Sequence, residues 1–234
     1  MNNLLTQHES RIGRGLVLAA GVAAAAISLG ATAGCNIAAG AFYILHGPDE
    51  KIPAKYKLPP ERPTVVFVDD RNNRLPSRDM REMIASAAGE ALSSSNSVRD
   101  LIDPRSILAA ATKDRFGEPM TIAELGRAVQ ADIVIYVTID AFALSADGQS
   151  VSPTSSMRVK VIDTATETRL WPEEVEGYSL GVQAPPRQGT IQGTAVEMHQ
   201  IRQEAAARAG LGVAQLFVGY IARESASKGS AATN

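Results

Sequence analysis

The chain has 234 residues, 45% of them hydrophobic and 21% charged, with 23 basic side chains against 25 acidic ones. That balance gives enough apolar surface for a self-sufficient core and excludes a general electrostatic attraction to nucleic acid, so no nucleic-acid partner is expected. Cys35 is the single cysteine, which excludes an intramolecular disulfide and leaves stability to packing.

The first element is an uncharged run over residues 15–35. Arg11 and Arg14 precede it, residues 16–27 form its apolar stretch, and the small residues 31–34 suit a signal peptidase, so residues 1–34 read as a secretory signal. The tetrad Thr32-Ala33-Gly34-Cys35 resembles a bacterial lipobox, with Thr32 where Leu is usual. The resemblance implies that the Cys35 thiol takes a diacylglycerol and that cleavage before it leaves a mature N-terminus acylated with a fatty acid such as palmitate. Two other readings stand beside it. Residues 15–45 carry no charge and could span a bilayer uncleaved, although their Gly and Ala gain little in hydrocarbon, or they could form a buried core helix.

Residues 35–63 are expected to be the lipidated N-terminus and a tether. After the apolar residues 36–45 come Pro48, Pro53, Pro59, Pro60 and Pro63, interleaved with Lys51, Lys55, Lys57 and Arg62. Proline fixes φ and removes a donor, which favours an extended spacer. Its basic residues suit solubility or lipid headgroups.

The α/β domain is expected to span residues 64–223. Val65-Val66-Phe67-Val68 predicts a central strand ending in Asp69-Asp70. Pro76-Ser77 then opens a helix with Ser77 as N-cap and Met80, Met83, Ile84, Ala87, Ala88, Ala91 and Leu92 on its apolar stripe. Residues 98–102 are an edge-strand candidate, and Asp103-Pro104 starts a helix running to about residue 113. Thr121-Ile122-Ala123-Glu124 is a capping box that opens a short helix through residue 130.

Residues 133–142 predict a strand with Ile133, Ile135, Val137, Ile139 and Ala141 on one face. After a turn at 146–148, Met157, Val159 and Val161 alternate with Arg158 and Lys160, and residues 168–171 return as the second arm of a hairpin. A further strand lies around Tyr178, residues 182–193 read as a flexible loop, and a long helix runs over 194–223 with Met198, Ile201, Ala205, Ala209, Val213, Leu216, Phe217 and Tyr220 on its core face. Residues 224–234 have nothing to bury and read as a disordered tail. The predicted fold is α/β: a mixed sheet packed with helices in a sandwich and closed by the long C-terminal helix.

A lipobox, a tether, a strand–helix opening, the strand "ADIVIYVTI", the hairpin "RVKVIDTATETRLW" and a closing helix together resemble the periplasmic lipoproteins related to CsgG and LpoB. Their shared domain is similar to the amino-terminal domain of TolB. The resemblance covers residues 64–222 and implies a lipid-anchored, periplasm-facing interaction or accessory module with another envelope protein as partner, and no catalytic set. Clear amphipathic hairpins of the kind a CsgG-type pore needs are absent from the sequence. Asn36 stands where many enterobacterial lipoproteins kept at the inner membrane carry Asp, which leans the expectation to the outer membrane.

The alternatives are an envelope enzyme and a structural subunit of a secretion or envelope assembly. The enzyme would use Asp69 and Asp70, two adjacent carboxylates at the carboxyl end of a strand, where α/β sheets bind ligands. The bland reading of that pair is a turn cap with Arg71, Arg74 and Arg78 as partners. Trp171, before Pro172, is a candidate binding platform or a core plug. No nucleotide loop or nucleophile elbow is present, and beyond the signal only His46 and His199 are left to bind metal, so neither cofactor nor metal is expected.

Overall fold

The computed structural model describes residues 51–113, 120–145, 150–184, 187–190 and 194–221. The signal, Cys35, the turn at 146–148 and the tail lie outside the described residues. In chain order the elements are β1 (Lys51–Ile52), β2 (Thr64–Asp69), α1 (Met80–Ser94), β3 (Leu101–Ile102), α2 (Pro104–Lys113), α3 (Ile122–Ala128), β4 (Ile133–Ala143), β5 (Ser150–Val151), β6 (Thr154–Asp163), β7 (Arg169–Trp171), β8 (Tyr178–Gln183), β9 (Arg187–Thr190), α4 (Ala195–Gln215) and β10 (Tyr220–Ile221).

The main sheet runs β3-β2-β4-β6-β7, with β8 also paired to β6. β2 lies parallel to β3 and β4, while β6 lies antiparallel to β4, β7 and β8. The sheet is therefore mixed, as expected. Every residue of β2 is buried because both faces are covered. Val66 and Val68 join Ile133, Ile135, Val137 and Ile139 in the core beneath α1 and α4, whereas Val65, Phe67, Val134 and Tyr136 pack with Ile107 of α2 and Leu125 of α3. A strand covered on both faces reads as continuous apolar sequence because alternate residues feed different cores. β6, met on that face by the α2/α3 core only at Ile162, instead alternates buried Met157, Val159 and Val161 with half-buried Arg158 and Lys160.

Small residues draw α1 and α4 together. A Cβ on Gly210 would lie 2.5 Å from the carbonyl oxygen of Ile84, so only glycine permits this approach. The capping boxes Thr121/Glu124 and Thr194/Glu197 start α3 and α4.

Several boundaries differ from expectation. Residues 51–63 are no spacer but part of the folded unit. β1 pairs antiparallel with β10, the amides of Lys55 and Tyr56 donate to the carbonyl of Leu216, and Leu58 is buried in the α1/α4 core. Proline removes a donor and keeps its acceptor: the Pro60 carbonyl takes the Arg99 amide, and the Pro63 carbonyl takes those of Asp132 and Ile133.

α1 begins at Met80 with Asp79 in the N-cap position, not with Ser77 as cap. Ala141 leaves the buried face because the β4/β6 register shifts between Ile139 and Ala141. Residues 182–183 belong to β8 and residues 187–190 to β9, paired with β5, where a loop was expected. α4 stops at Gln215, where the amides of Leu216 and Phe217 turn back to the carbonyls of Val213 and Ala214. Leu216 and Phe217 enter the core from that turn, and Tyr220 goes to β10 rather than to a helical stripe.

Candidate functional site

Asp69 and Asp70 end the central strand side by side but do different things. Asp70 turns back on its own loop: its Oδ1 accepts the Arg74 amide at 2.7 Å and its Oδ2 the Leu75 amide at 3.0 Å. Asn73, left-handed at φ 49°, completes that turn, a conformation asparagine tolerates better than most residues. Asp70 thus has the geometry of a turn cap.

The Asp69 side chain points to the α2/α3 side and is mostly buried. Its Oδ2 accepts from the Tyr136 hydroxyl and from Arg71 Nε, each at 2.7 Å. Burial first, and then the bond to Asp69, push the Tyr136 hydroxyl above its ordinary pKa, so it stays a proton donor at any physiological pH. Tyr136 also stacks on Phe67 with ring centroids 5.8 Å apart.

Asp69, Arg71 and Phe67 border a cavity of about 510 Å³ between the loop that follows β2 and the α2–α3 pair. Phe67, Leu108 and Leu125 form its apolar floor, and Asp69, Arg78 and Arg81 are among its polar lining. The cavity lies outside the carboxyl ends of the parallel strands. There the chain leaves β2 by α1 on one face, reaches β3 on one side of β2, and returns by α2 and α3 on the other face to β4 on the opposite side. Such a change of direction is where open α/β sheets form crevices.

Trp171 is on the other face of the sheet, so the structure does not bring it together with Asp69. It stacks on Tyr56 at 6.1 Å and on Tyr178 at 5.1 Å and meets Phe217 edge-on at 5.7 Å. Three rings of this chain engage it, the geometry of a packing residue. Glu173 and Glu174 beside it are exposed.

Sequence reasoning missed Tyr136, Arg81 and a second polar cluster. Arg62 binds Asp163 at 2.8 Å and approaches Asp132 at 3.5 Å. The Arg62 guanidinium, helped by the amides of Thr166 and Ala165, holds the Asp163 carboxyl at about 2. Tyr136 was visible as the one polar-tipped side chain among the aliphatic residues 133–137. Arg71, Arg74, Arg78 and Arg81 recur at spacings of three and four, a pattern that was legible, although only the first three were read, as partners for the two aspartates. Among the described residues no three His, Cys, Asp or Glu side chains converge on a metal-sized site, and no helix is long and apolar enough to cross a membrane.

No family model matches the sequence, and no curated protein matches it. Solved structures do align. The PelC dodecamer from Paraburkholderia phytofirmans is 14% identical, aligned over 73% of this chain and 97% of its own, with a TM-score of 0.39. Lipoprotein GNA1162 from Neisseria meningitidis is 15% identical over 61% and 92%, with a TM-score of 0.38. The hypothetical protein CT253 from Chlamydia trachomatis is 18% identical over 71% and 95%, also with a TM-score of 0.38. Scores of this size assign neither activity nor partner to this chain.

Proposed function

We propose that this protein is a membrane-anchored lipoprotein of the cell envelope, held by lipid on Cys35, whose α/β domain works on the periplasmic side as a non-enzymatic interaction or accessory module for another envelope protein. Kinship with the CsgG and LpoB group, argued from element order, belongs to the same proposal, as does the leaning to the outer membrane.

The observation that carries this reading is what the two strand-end carboxylates do. Both oxygens of Asp70 hold backbone amides, and Asp69 Oδ2 is shared by Tyr136 and Arg71. Neither is arranged as an acid and base pair facing one reacting atom, which the enzyme alternative requires. The revised domain boundary adds a distance. Fifteen residues separate Cys35 from Lys51, and at roughly 3.3–3.6 Å per residue they reach about 50 Å at most. The domain therefore works within one domain diameter or so of the membrane.

Two measurements test the proposal. The intact mass of the membrane-extracted protein should correspond to residues 35–234 plus a diacylglycerol and an acyl chain, and Cys35→Ala should leave an unlipidated precursor. A wild-type mass equal to all 234 residues without lipid would replace the lipid anchor with an uncleaved one. Asp69→Asn with Asp70→Asn should leave the folded domain and its cellular role intact; a folded double variant without that role would put the enzyme reading first.

A further inference from the structure

The cavity beside Asp69 is not needed by a docking module, and its lining is chemically specific. Its volume of about 510 Å³ falls inside the roughly 300–1,000 Å³ range of small-molecule sites. One side is apolar, formed by Phe67, Leu108 and Leu125. The charges on the other side do not cancel. Asp69 is paired with Arg71, and Asp70 is turned to the amides of its own loop. That leaves Arg78, exposed, and Arg81, half-buried, both on the cavity wall and neither in a salt bridge among the described residues.

The nearby acids are engaged elsewhere. Glu82 pairs with Arg105, and Asp79 faces His199 and Arg202 of α4. Arg78 and Arg81 also flank the start of α1, where the helix dipole is positive and basic side chains are disfavoured. Two guanidiniums kept in that field beside an apolar hollow make a place that attracts an anion, since the three arginines of the lining outnumber its two aspartates.

We infer that this cavity binds a small organic anion, with an aromatic or aliphatic body on the Phe67–Leu108–Leu125 floor and a phosphate held between Arg78 and Arg81. Guanidinium groups suit this task because their donors match phosphate oxygens in pairs. The Asp69 carboxylate, held by Tyr136 and Arg71, lines the same cavity and repels a second anion, which keeps the phosphate at Arg78 and Arg81. The phosphate can come from a soluble phosphomonoester or from the headgroup of an anionic phospholipid, and the two sources separate experimentally.

Full-length protein in neutral phosphatidylcholine vesicles would be dialysed to equilibrium against 1-naphthyl phosphate, with 1-naphthol as the probe lacking the anion. Wild type should bind the phosphate at least tenfold more tightly than the naphthol. Arg78→Gln with Arg81→Gln should remove at least tenfold of that affinity with the thermal transition unchanged. Arg99→Gln, outside the cavity and paired with Glu61, should leave it intact. Leu108→Trp, which fills the floor, should weaken both probes and serves as a second variant should the arginine pair perturb folding. Adding phosphatidylglycerol to the vesicles should displace 1-naphthyl phosphate if the source is a headgroup and leave it bound if the source is soluble; either result upholds the site. Failure of wild type to bind 1-naphthyl phosphate at millimolar concentration, or equal binding by the double-arginine variant, overturns it.

Discussion

Leu58→Ala separates a tethered domain from one that includes its proline-rich segment. In an extended spacer this leucine would be solvated and its truncation would fall within the roughly ±0.5 kcal/mol of ordinary surface changes. In the structure Leu58 is 7% exposed and packs in the core that α1, α4 and the sheet enclose. Truncating a buried leucine costs about 2–5 kcal/mol, the higher values where the surroundings cannot collapse. Leu58 enters from a two-residue strand and a loop rather than a helix, so its neighbours can shift and a value near 2–3 kcal/mol is expected. For a domain of this size that corresponds to a fall in Tm of about 4–12 °C. Urea unfolding of wild type and variant should show a lower midpoint at constant slope, which marks a change in stability rather than in compactness. The exposed neighbour, Lys57→Ala, is the control and should stay near zero. A Leu58→Ala shift no larger than that of Lys57→Ala would refute the packed segment and restore the tether.

Three other expectations rest on equally specific contacts. Asp163 has its pKa depressed to about 2 from an ordinary 3.8, chiefly by Arg62, so the stability it supplies is present above about pH 4 and is lost as pH falls from there towards 2; Arg62→Met should flatten that acid limb in urea midpoints measured across the range. Gly210→Ala should destabilise by about 1–3 kcal/mol by calorimetry, because its Cβ meets the backbone carbonyl of Ile84, which no rotamer change relieves. Gly181→Ala, with nothing within 4 Å of the added atom, should fall within about ±0.5 kcal/mol. Asp70→Ala should cost about 0.5–2 kcal/mol, the loss of a side-chain cap on two loop amides of which one is exposed to water, and Asp70→Asn less because one acceptor survives, as read from thermal midpoints.

The strands and helices of the domain were legible because each has its own period. β2 and β4 were visible as continuous apolar runs, β6 by its alternation, and α3 by a capping box that closes within four residues; these are local signals, and the structure keeps them. The proline-rich stretch was misread although it carries a period too. Ile52, Ala54 and Tyr56 are half-buried and Leu58 is buried, while Lys51, Pro53, Lys55 and Lys57 are exposed. Composition outweighed that alternation because proline and lysine argue for solvent, and the acceptors those residues meet, such as the Leu216 carbonyl, are more than a hundred residues away. The end of α4 failed for a related reason. Leu216 and Phe217 keep a helical spacing whether or not the backbone remains helical, and it was the pairing of Tyr220 and Ile221 with β1 that ended the helix early.

The sequence by itself determined the anchor expectation, the order of elements from β2 to β8 apart from β5, and the apolar runs of β2 and β4, since these follow from short-range pattern and charge. Tertiary structure alone decided that Asp69 faces Tyr136 and Arg71 while Asp70 faces its own loop, although the two are chemically identical neighbours. Successive side chains of a strand point to opposite faces, and which face then meets a cavity depends on helices, Pro104–Lys113 and Ile122–Ala128, that lie well further along the chain.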